Sequence, residues 1–157
     1  MRQGSKKPHK FTKVLVFGVF DLLHPGHKYF LQQASKQGQQ LIVVVARDNV
    51  VYLIKGQRPN QNQTKRRQQI KKLKFVYRAV LGNLSRPHHY QMVKSIKPDV
   101  ICLGYDQKPS LIKIRRELKS FGLQPKIIRL KSYQPHKFKS SLIKVLRGKP
   151  PTGNKPS

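Results

Sequence analysis

The chain has 157 residues, enough for one domain with a buried core and too few for two domains of ordinary size. Its 34 Lys and Arg residues against five acidic ones give a net charge of +29, which attracts polyanions such as nucleic acids, anionic lipids and nucleotides. The single cysteine, Cys102, excludes an intramolecular disulfide, and no apolar run approaches the ~20 residues that span a bilayer, so we expect a cytoplasmic protein.

The first half of the chain alternates between strand and helix patterns. Short apolar, β-branched runs predict strands, and apolar residues at helical spacing predict helices. In chain order, these patterns place a strand at 13–18, a helix at about 26–37, a strand at 41–46, a helix at about 63–74 and a short strand at 79–81. The stretch 47–62 is rich in Asn, Gln and Pro, and we interpret it as a polar connection.

The second half continues the alternation. In order, the patterns predict a helical stretch that Pro87 opens, a strand at 99–104, a helix at 111–121 with its stop at Gly122, a strand at 126–130 and a short helix at 139–147. Five strands separated by helices predict an α/β fold with a Rossmann-like, doubly wound parallel sheet and helices on both faces. We expect this single domain to span 12–148, between flexible tails at 1–11 and 149–157.

Residues 18–27, at the junction of the first strand and the first helix, carry the most informative motif. They read Gly-Val-Phe-Asp-Leu-Leu-His-Pro-Gly-His, with His24 and His27 three positions apart. Backbone N–H groups and the positive end of a helix favour an anion at such a junction. Two imidazole donors there can hold a phosphate as its charge shifts during a reaction. The motif therefore indicates a phosphate site rather than a Gly/Pro turn with incidental histidines.

The few acidic residues are placed selectively. Asp21 lies in this motif, and Asp48 follows the second strand. Asp99 and Asp106 flank the fourth strand, and Glu117 alone reads as an ordinary surface acid. Because ligands of doubly wound sheets lie beyond the carboxyl ends of the strands, the segments after the first, second and fourth strands should share one crevice. The pattern favours an enzyme with a basic coat over a dedicated nucleic-acid binder.

The motif and the alternation resemble the cytidylyltransferase-like superfamily, in its HxGH group of small nucleotidyltransferases, over about residues 13–147. The segments that match in order are Gly18-x-Phe20-Asp21-x-x-His24-x-Gly26-His27, Lys55-Gly56 followed by Arg66, Lys97-Pro98-Asp99-Val100 leading into Leu103-Gly104-Tyr105-Asp106-Gln107, and Ser140-Ser141-Leu142-Ile143. Three features, Val45-Ala46-Arg47-Asp48, the Leu103 to Gln107 segment and the Ser pair, most resemble archaeal-type FAD synthases, which transfer AMP from ATP to FMN. Two related groups of enzymes are alternatives. One is the glycerol-3-phosphate cytidylyltransferases, which use CTP as donor, and the other is the enzymes of sugar-phosphate activation.

The resemblance implies a phosphate of the acceptor attacking the α-phosphorus of a nucleoside triphosphate, with pyrophosphate leaving. His24 and His27 would donate to the α-phosphate, and Lys55 and Arg66 would hold the β and γ phosphates. The nucleotide-binding set implied by the matching segments is Gly18, Val19, Phe20, Asp21, Gly26, Gly104, Asp106, Ser140 and Ser141. Mg²⁺ or another divalent cation would be bound mainly through the triphosphate, with Asp21 as the nearest carboxylate.

Several of these residues have simpler interpretations. Asp21 can tie the turn to backbone N–H groups instead of a metal, and Ser140 and Ser141 can cap a helix. Lys65 and Arg67 are rivals of Arg66 that only the spacing of the family motif rejects.

Two other classes of protein are alternatives to the transferase. One is a basic nucleic-acid-associated protein that uses the same fold with reduced catalysis, which the net charge of +29 favours and the complete set of phosphate ligands disfavours. The other is kinship with class I aminoacyl-tRNA synthetases, which share a similar turn; this chain shows no Lys-Met-Ser-Lys-type loop. By analogy with the family, we expect a homodimer. From the charge, we expect non-specific binding of RNA or other polyanions.

Overall fold

A computed structural model describes residues 11–83, 91–105 and 111–131, with the backbone alone for 111–113. The elements in chain order are β1 (Lys13–Gly18), α1 (Pro25–Ser35), β2 (Gln40–Val45), α2 (Asp48–Lys55), α3 (Gln63–Lys71), β3 (Arg78–Leu81), α4 (Gln91–Ile96), β4 (Val100–Leu103), α5 (Leu111–Ser120) and β5 (Lys126–Arg129). The predicted helix at 139–147 and both predicted tails, apart from Phe11, lie outside the described residues.

The five strands form one parallel sheet in the order β3-β2-β1-β4-β5. The central strand β1 pairs with β2 on one side and β4 on the other, so that Leu15 lies opposite both Ile42 and Ile101. The strand order reverses between β1 and β4, which is where doubly wound sheets bind their ligands. The predicted α/β fold is confirmed.

Side chains alternate across the sheet and build a hydrophobic cluster on each face. The cluster on one face contains Val14 and Val16 of β1, Leu31 of α1 and Ile70 of α3. The cluster on the other face contains Leu15 of β1, Val93 and Ile96 of α4, and Ile114 and Leu118 of α5. Helices therefore cover both faces, and the central strands are apolar on both sides because neither side meets water.

The prediction of a polar connection over 47–62 is wrong for its first half, where the structure has helix α2. Val50 and Val51 are buried, and Gly56 ends the helix in the left-handed region at φ 78°, donating its N–H to the carbonyl of Tyr52. Apart from Asn49, the Asn, Gln and Pro residues that suggested a loop belong to the stretch after this helix. The burial of Val50 and Val51 thus stabilises a helix here although the residues around them are polar.

The remaining boundaries agree with the predictions to within a few residues, as is usual for helix ends. Gly122 has a φ of 75° and follows α5, as the predicted stop requires. Cys102 is buried in β4. No helix in the described ranges combines the length and apolar character needed to cross a membrane.

Candidate active site

The turn between β1 and α1 has an unusual backbone. Phe20 and Leu22 both have positive φ angles, 53° and 52°, which non-glycine residues rarely adopt. The Phe20 ring folds back over Gly18, where an added Cβ would lie 2.5 Å from ring carbons, so a side chain at residue 18 would displace this buried ring. Each such backbone conformation costs about 1–3 kcal/mol and persists only where surrounding contacts hold it.

The two histidines close the first turn of α1 around each other. His24 is the N-cap, and its Nδ1 atom accepts the N–H groups of Gly26 at 3.1 Å and His27 at 3.3 Å. In return, Nδ1 of His27 accepts the N–H of His24 at 3.3 Å, which completes a capping box. The imidazole rings stack with 3.6 Å between centroids and 18° between planes. The predicted pair is therefore brought together at the start of the helix.

These contacts determine the protonation state of both rings. Because each Nδ1 atom accepts a hydrogen bond, the proton of each neutral imidazole lies on Nε2. Burial lowers the pKa of His24. Burial, followed by the repulsion that a protonated His24 would exert and by the charge of Lys55, lowers the pKa of His27 to about 4, and Asp21 opposes this shift. Phe20 meets the His27 ring edge to face, with 5.5 Å between centroids. At neutral pH the site therefore presents two neutral N–H donors.

The carboxylate of Asp21 ties this turn to the segment between α2 and α3. It accepts the backbone N–H of Asn60 at 2.7 Å, the side-chain Nδ2 of Asn60 at 3.1 Å and the backbone N–H of Gln61 at 2.9 Å. Gln61 also accepts the N–H of Leu22 through Oε1 at 3.1 Å. Burial opposes ionisation, but these hydrogen bonds outweigh it and hold the pKa of Asp21 below its ordinary value.

The same contacts bear on a metal at Asp21. Both of its carboxylate oxygens already accept N–H donors. In the described ranges, no three His, Cys, Asp or Glu side chains are grouped as a metal site would need. The described residues therefore offer no cluster that would hold a cation by protein groups alone, and the contacts support the simpler interpretation of Asp21 as a support for the turn. The predicted contact of Asp21 with a cation bound mainly through the triphosphate stays a prediction.

Arg66 lies beneath the turn and is fully buried. Its guanidinium donates from Nη1 to the carbonyl of Val19 at 2.8 Å, and from Nε to the carbonyl of Gln61 at 2.8 Å. The remaining nitrogen, Nη2, forms an ion pair with Asp48 at 2.6 Å. This placement gives Arg66 a structural function that the sequence did not indicate. Its predicted contact with the triphosphate stays a prediction.

The other predicted residues are placed as follows. Lys55 is the exposed last residue of α2, and its charge is felt at His27. Gly104 follows β4, and its carbonyl accepts Nη1 of Arg129 at 2.8 Å. Asp106, Ser140 and Ser141 lie outside the described residues. Of the rivals to Arg66, Lys65 is exposed, and Arg67 donates to the carbonyl of Ala79.

Sequence reasoning missed Asn60 and Gln61, which hold Asp21, and the side-chain contact of Arg47, whose Nε donates to the carbonyl of Gly82 at 2.7 Å. Asn and Gln residues just before a helix N-cap do not by themselves indicate a functional site. Their function comes from contact with the carboxylate of Asp21, about 40 positions away in the sequence. That contact exists only in the folded chain.

Comparisons with known proteins identify the family of the chain. A family model described as cytidylyltransferase-like matches residues 15–145. The FAD synthase of Aciduliprofundum boonei is 46% identical over 122 residues, covering 78% of this chain and 80% of that protein. The FAD synthase of Thermococcus sibiricus is 37% identical over 138 residues, covering 87% of this chain and 88% of that protein.

Solved structures show the same architecture. A lipopolysaccharide core biosynthesis protein from Thermoplasma volcanium GSS1 superposes with a TM-score of 0.76 at 37% identity, covering 80% of this chain and 100% of that one. A pantoate-beta-alanine ligase from Francisella tularensis superposes with a TM-score of 0.57 at 18% identity, covering 92% and 74% respectively, and shares the fold.

Proposed function

Because the chain belongs to the cytidylyltransferase-like family, we propose that this nucleotidyltransferase moves AMP from ATP to FMN and releases pyrophosphate. The FAD synthases that it resembles at 37–46% identity support this choice of substrates. In the reaction, a phosphate oxygen of the acceptor forms a bond to the α-phosphorus. The bond from that phosphorus to the bridging oxygen breaks, and pyrophosphate leaves with the electron pair. No protein nucleophile is needed.

The observation that carries the proposal is the pair of neutral, stacked imidazoles at the start of α1. With Nδ1 of each ring engaged by the backbone, Nε2–H of each ring is left to donate to the α-phosphate. Negative charge grows on the α-phosphate and bridging oxygen as the leaving group departs, and fixed donors stabilise that charge without reorganising. The positive end of α1 adds to the same effect.

The remaining roles belong to the proposal too. Lys55, exposed and close enough to influence His27, binds the β and γ phosphates as a mobile point charge. The backbone at Gly104 and the side chain of Asp106 contact the base, and Ser140 and Ser141 donate to the phosphates. A divalent cation arrives with the triphosphate as part of the substrate.

Arg66 supports the turn from below in this proposal. Its three bonds hold the carbonyls of Val19 and Gln61 and the carboxylate of Asp48 in place. Any contact with the triphosphate uses the hydrogens that remain on Nη1 and Nη2.

A homodimer, a cytoplasmic location and non-specific binding of polyanions stay predictions. The last has support in the structure, because Lys71, Lys72 and Lys74 are all exposed at the end of α3.

The experiment is a matrix of pyrophosphate release with ATP or CTP as donor and FMN, glycerol 3-phosphate or a sugar phosphate as acceptor. We expect turnover with ATP and FMN, and chromatography should identify FAD as the second product. Activity with CTP and glycerol 3-phosphate alone would replace the proposed substrates while keeping the reaction. The absence of turnover with every pair, combined with salt-sensitive RNA binding, would favour a nucleic-acid-associated protein.

A further inference from the structure

The carboxyl end of β4, which the proposed function assigns to the base, is held by a side chain of the neighbouring strand. Within the described residues, the aligned pairs of β4 and β5 end with Leu103 and Arg129, and the N–H of Leu130 donates to the carbonyl of Leu103 at 2.8 Å. The next carbonyl, that of Gly104, accepts Nη1 of Arg129 at 2.8 Å. Arg129 thus extends the contact between the two strands by one peptide group.

This contact orients a peptide group at a conformationally permissive residue. Glycine has a wide choice of backbone conformations, and Gly104 comes directly after the last residue of β4. Its carbonyl and the N–H of Tyr105 belong to one peptide group, which is planar and almost always trans. A donor that fixes the carbonyl of Gly104 therefore also fixes the direction of the Tyr105 N–H.

The same peptide group lies where a ligand can reach it. Gly104 is half-buried, and Tyr105 is 49% exposed. Both follow β4 beside β1, where the strand order reverses and doubly wound sheets bind their ligands. Arg129 belongs to the outermost strand β5, on the far side of β4 from the histidines. Its place therefore suits an action on the nucleoside through the Gly104 peptide group, away from the phosphates.

An N–H donor at this place selects among bases by the ring nitrogen that it meets. N1 of adenine and N3 of cytosine carry no hydrogen and accept an N–H group. N1 of guanine or hypoxanthine and N3 of uracil carry a hydrogen and cannot accept one. A site built to make a hydrogen bond discriminates strongly against a ligand that cannot make it, because the donor is then left unpaired.

We propose that Arg129 is a positioning residue for the nucleoside, which holds the Gly104 carbonyl and so aims the N–H of Tyr105 at the ring nitrogen of the base. The ligand class is a nucleoside triphosphate whose base has a ring nitrogen without hydrogen at this place, which includes ATP and CTP. The inference rests on the proposed function for the location of the base. It adds the atom that recognises the base and the residue that orients that atom.

The test compares ATP with inosine triphosphate (ITP) in the wild type, Arg129→Met and Arg129→Lys. ITP keeps the ribose and triphosphate of ATP, but it carries a hydrogen on N1 and an oxygen in place of the 6-amino group. Arg116→Met is the control variant, because Arg116 is exposed on α5. Steady-state kinetics give kcat/KM for each nucleotide and KM for FMN. Titration calorimetry without FMN gives Kd for each nucleotide, and thermal unfolding shows whether each variant is folded.

We expect the wild type to prefer ATP over ITP by at least about 100-fold in kcat/KM. Arg129→Met should raise KM and Kd for ATP by about 5–20-fold, since the N–H donor is no longer aligned. Its kcat/KM for ITP should change by less than about twofold, because ITP never makes the lost hydrogen bond. KM for FMN should stay equally constant, and Arg116→Met should change none of these values. Arg129→Lys should recover part of the loss, because an ammonium can donate to the same carbonyl without the planar fork.

A purely structural function of Arg129 gives a different result, because a loosened β5 would weaken ATP and ITP alike. An equal loss for both nucleotides, unchanged ATP constants in Arg129→Met, or a wild type that uses ITP as well as ATP would overturn the proposal. If Arg129→Met fails to fold, Arg129→Lys and the wild-type preference for ATP over ITP decide the question.

Failure of the proposed function has its own signature. A wild type that uses CTP and glycerol 3-phosphate would change the substrates, and CTP and UTP would then replace ATP and ITP in the same comparison. A wild type without turnover on any pair would refute the proposed function. The Kd values of ATP and ITP would then decide the positioning function alone. Tighter binding of ATP that Arg129→Met weakens would support it, and equal or absent binding of the two nucleotides would overturn it.

Discussion

His24 and His27 exchange hydrogen bonds in both directions: Nδ1 of each ring accepts the backbone N–H of the other residue at 3.3 Å. The consequence is that the helix start and the catalytic chemistry depend on the same atoms. A cationic imidazole would carry a proton on Nδ1 and lose its acceptor, so the capping contacts and the low pKa of both residues support one another.

The pH dependence of stability follows from the pKa of His27, which is about 4 in the folded chain against 6.5 as its ordinary value. Above 6.5 both states are neutral at this residue. As the pH falls from 6.5 towards 4, the unfolded chain binds a proton that the folded chain refuses, so the free energy of unfolding should fall across this window. Urea unfolding at a series of pH values measures it, and His27→Asn should flatten the curve. Stability that rises on acidification through this window would refute the assignment.

Arg66→Met should destabilise the fold rather than only weaken nucleotide binding. The substitution leaves Asp48 and the carbonyls of Val19 and Gln61 without their donor, which we expect to cost about 3 kcal/mol in the free energy of unfolding. Lys65→Met, at the exposed neighbouring position, is the control and should stay within about 0.5 kcal/mol of the wild type. An Arg66→Met protein of wild-type stability with a raised KM for ATP would show that the triphosphate contact dominates.

Asp21→Asn should lower kcat without weakening the response to Mg²⁺. The new amide would point a donor at the N–H groups of Asn60 or Gln61, so the turn that holds the histidines should shift. Displacements of this kind cost about 10–100-fold in kcat. Titration of Mg²⁺ at saturating ATP should give the wild-type midpoint, whereas a large rise in that midpoint would indicate a metal ligand.

Binding of polyanions should follow the total charge rather than one patch. Replacing Lys71, Lys72 and Lys74 by Gln should reduce the slope of log affinity against log salt for single-stranded RNA by about 2. The matched triple replacement of the exposed Lys94, Lys97 and Lys119, on the α4 and α5 side of the sheet, should reduce it equally. A loss confined to one of the two variants would identify a discrete binding surface instead.

Much of the fold could be predicted because the signals are local. The apolar runs of β1 and β2 and the helical spacing in α5 identify elements without knowledge of their neighbours. Helix α2 was missed because the polar stretch that follows it diluted the signal of Val50 and Val51. The motif also located His24 and His27, because their spacing is itself a property of one helix turn.

The support beneath the site was not predictable, because it depends on contacts between distant segments. The positive φ angles of Phe20 and Leu22 are held by Asp21 and its partners. The burial of Arg66 likewise follows from the carbonyl of Val19 lying above it. In a chain with 34 basic residues, nothing in the sequence marks this arginine as the buried one.

The central claim, that Nε2–H of His27 stabilises the α-phosphate, is tested most directly by comparing kcat of His27→Asn and His27→Gln. Asn can retain an acceptor near the position of Nδ1 and so preserve the helix cap, but it has no donor at the position of Nε2. Gln places an amide N–H near that position. We expect kcat to fall by about 10²–10³-fold in His27→Asn, with partial recovery in His27→Gln and nearly unchanged unfolding of both. Wild-type kcat in a folded His27→Asn protein would contradict the account.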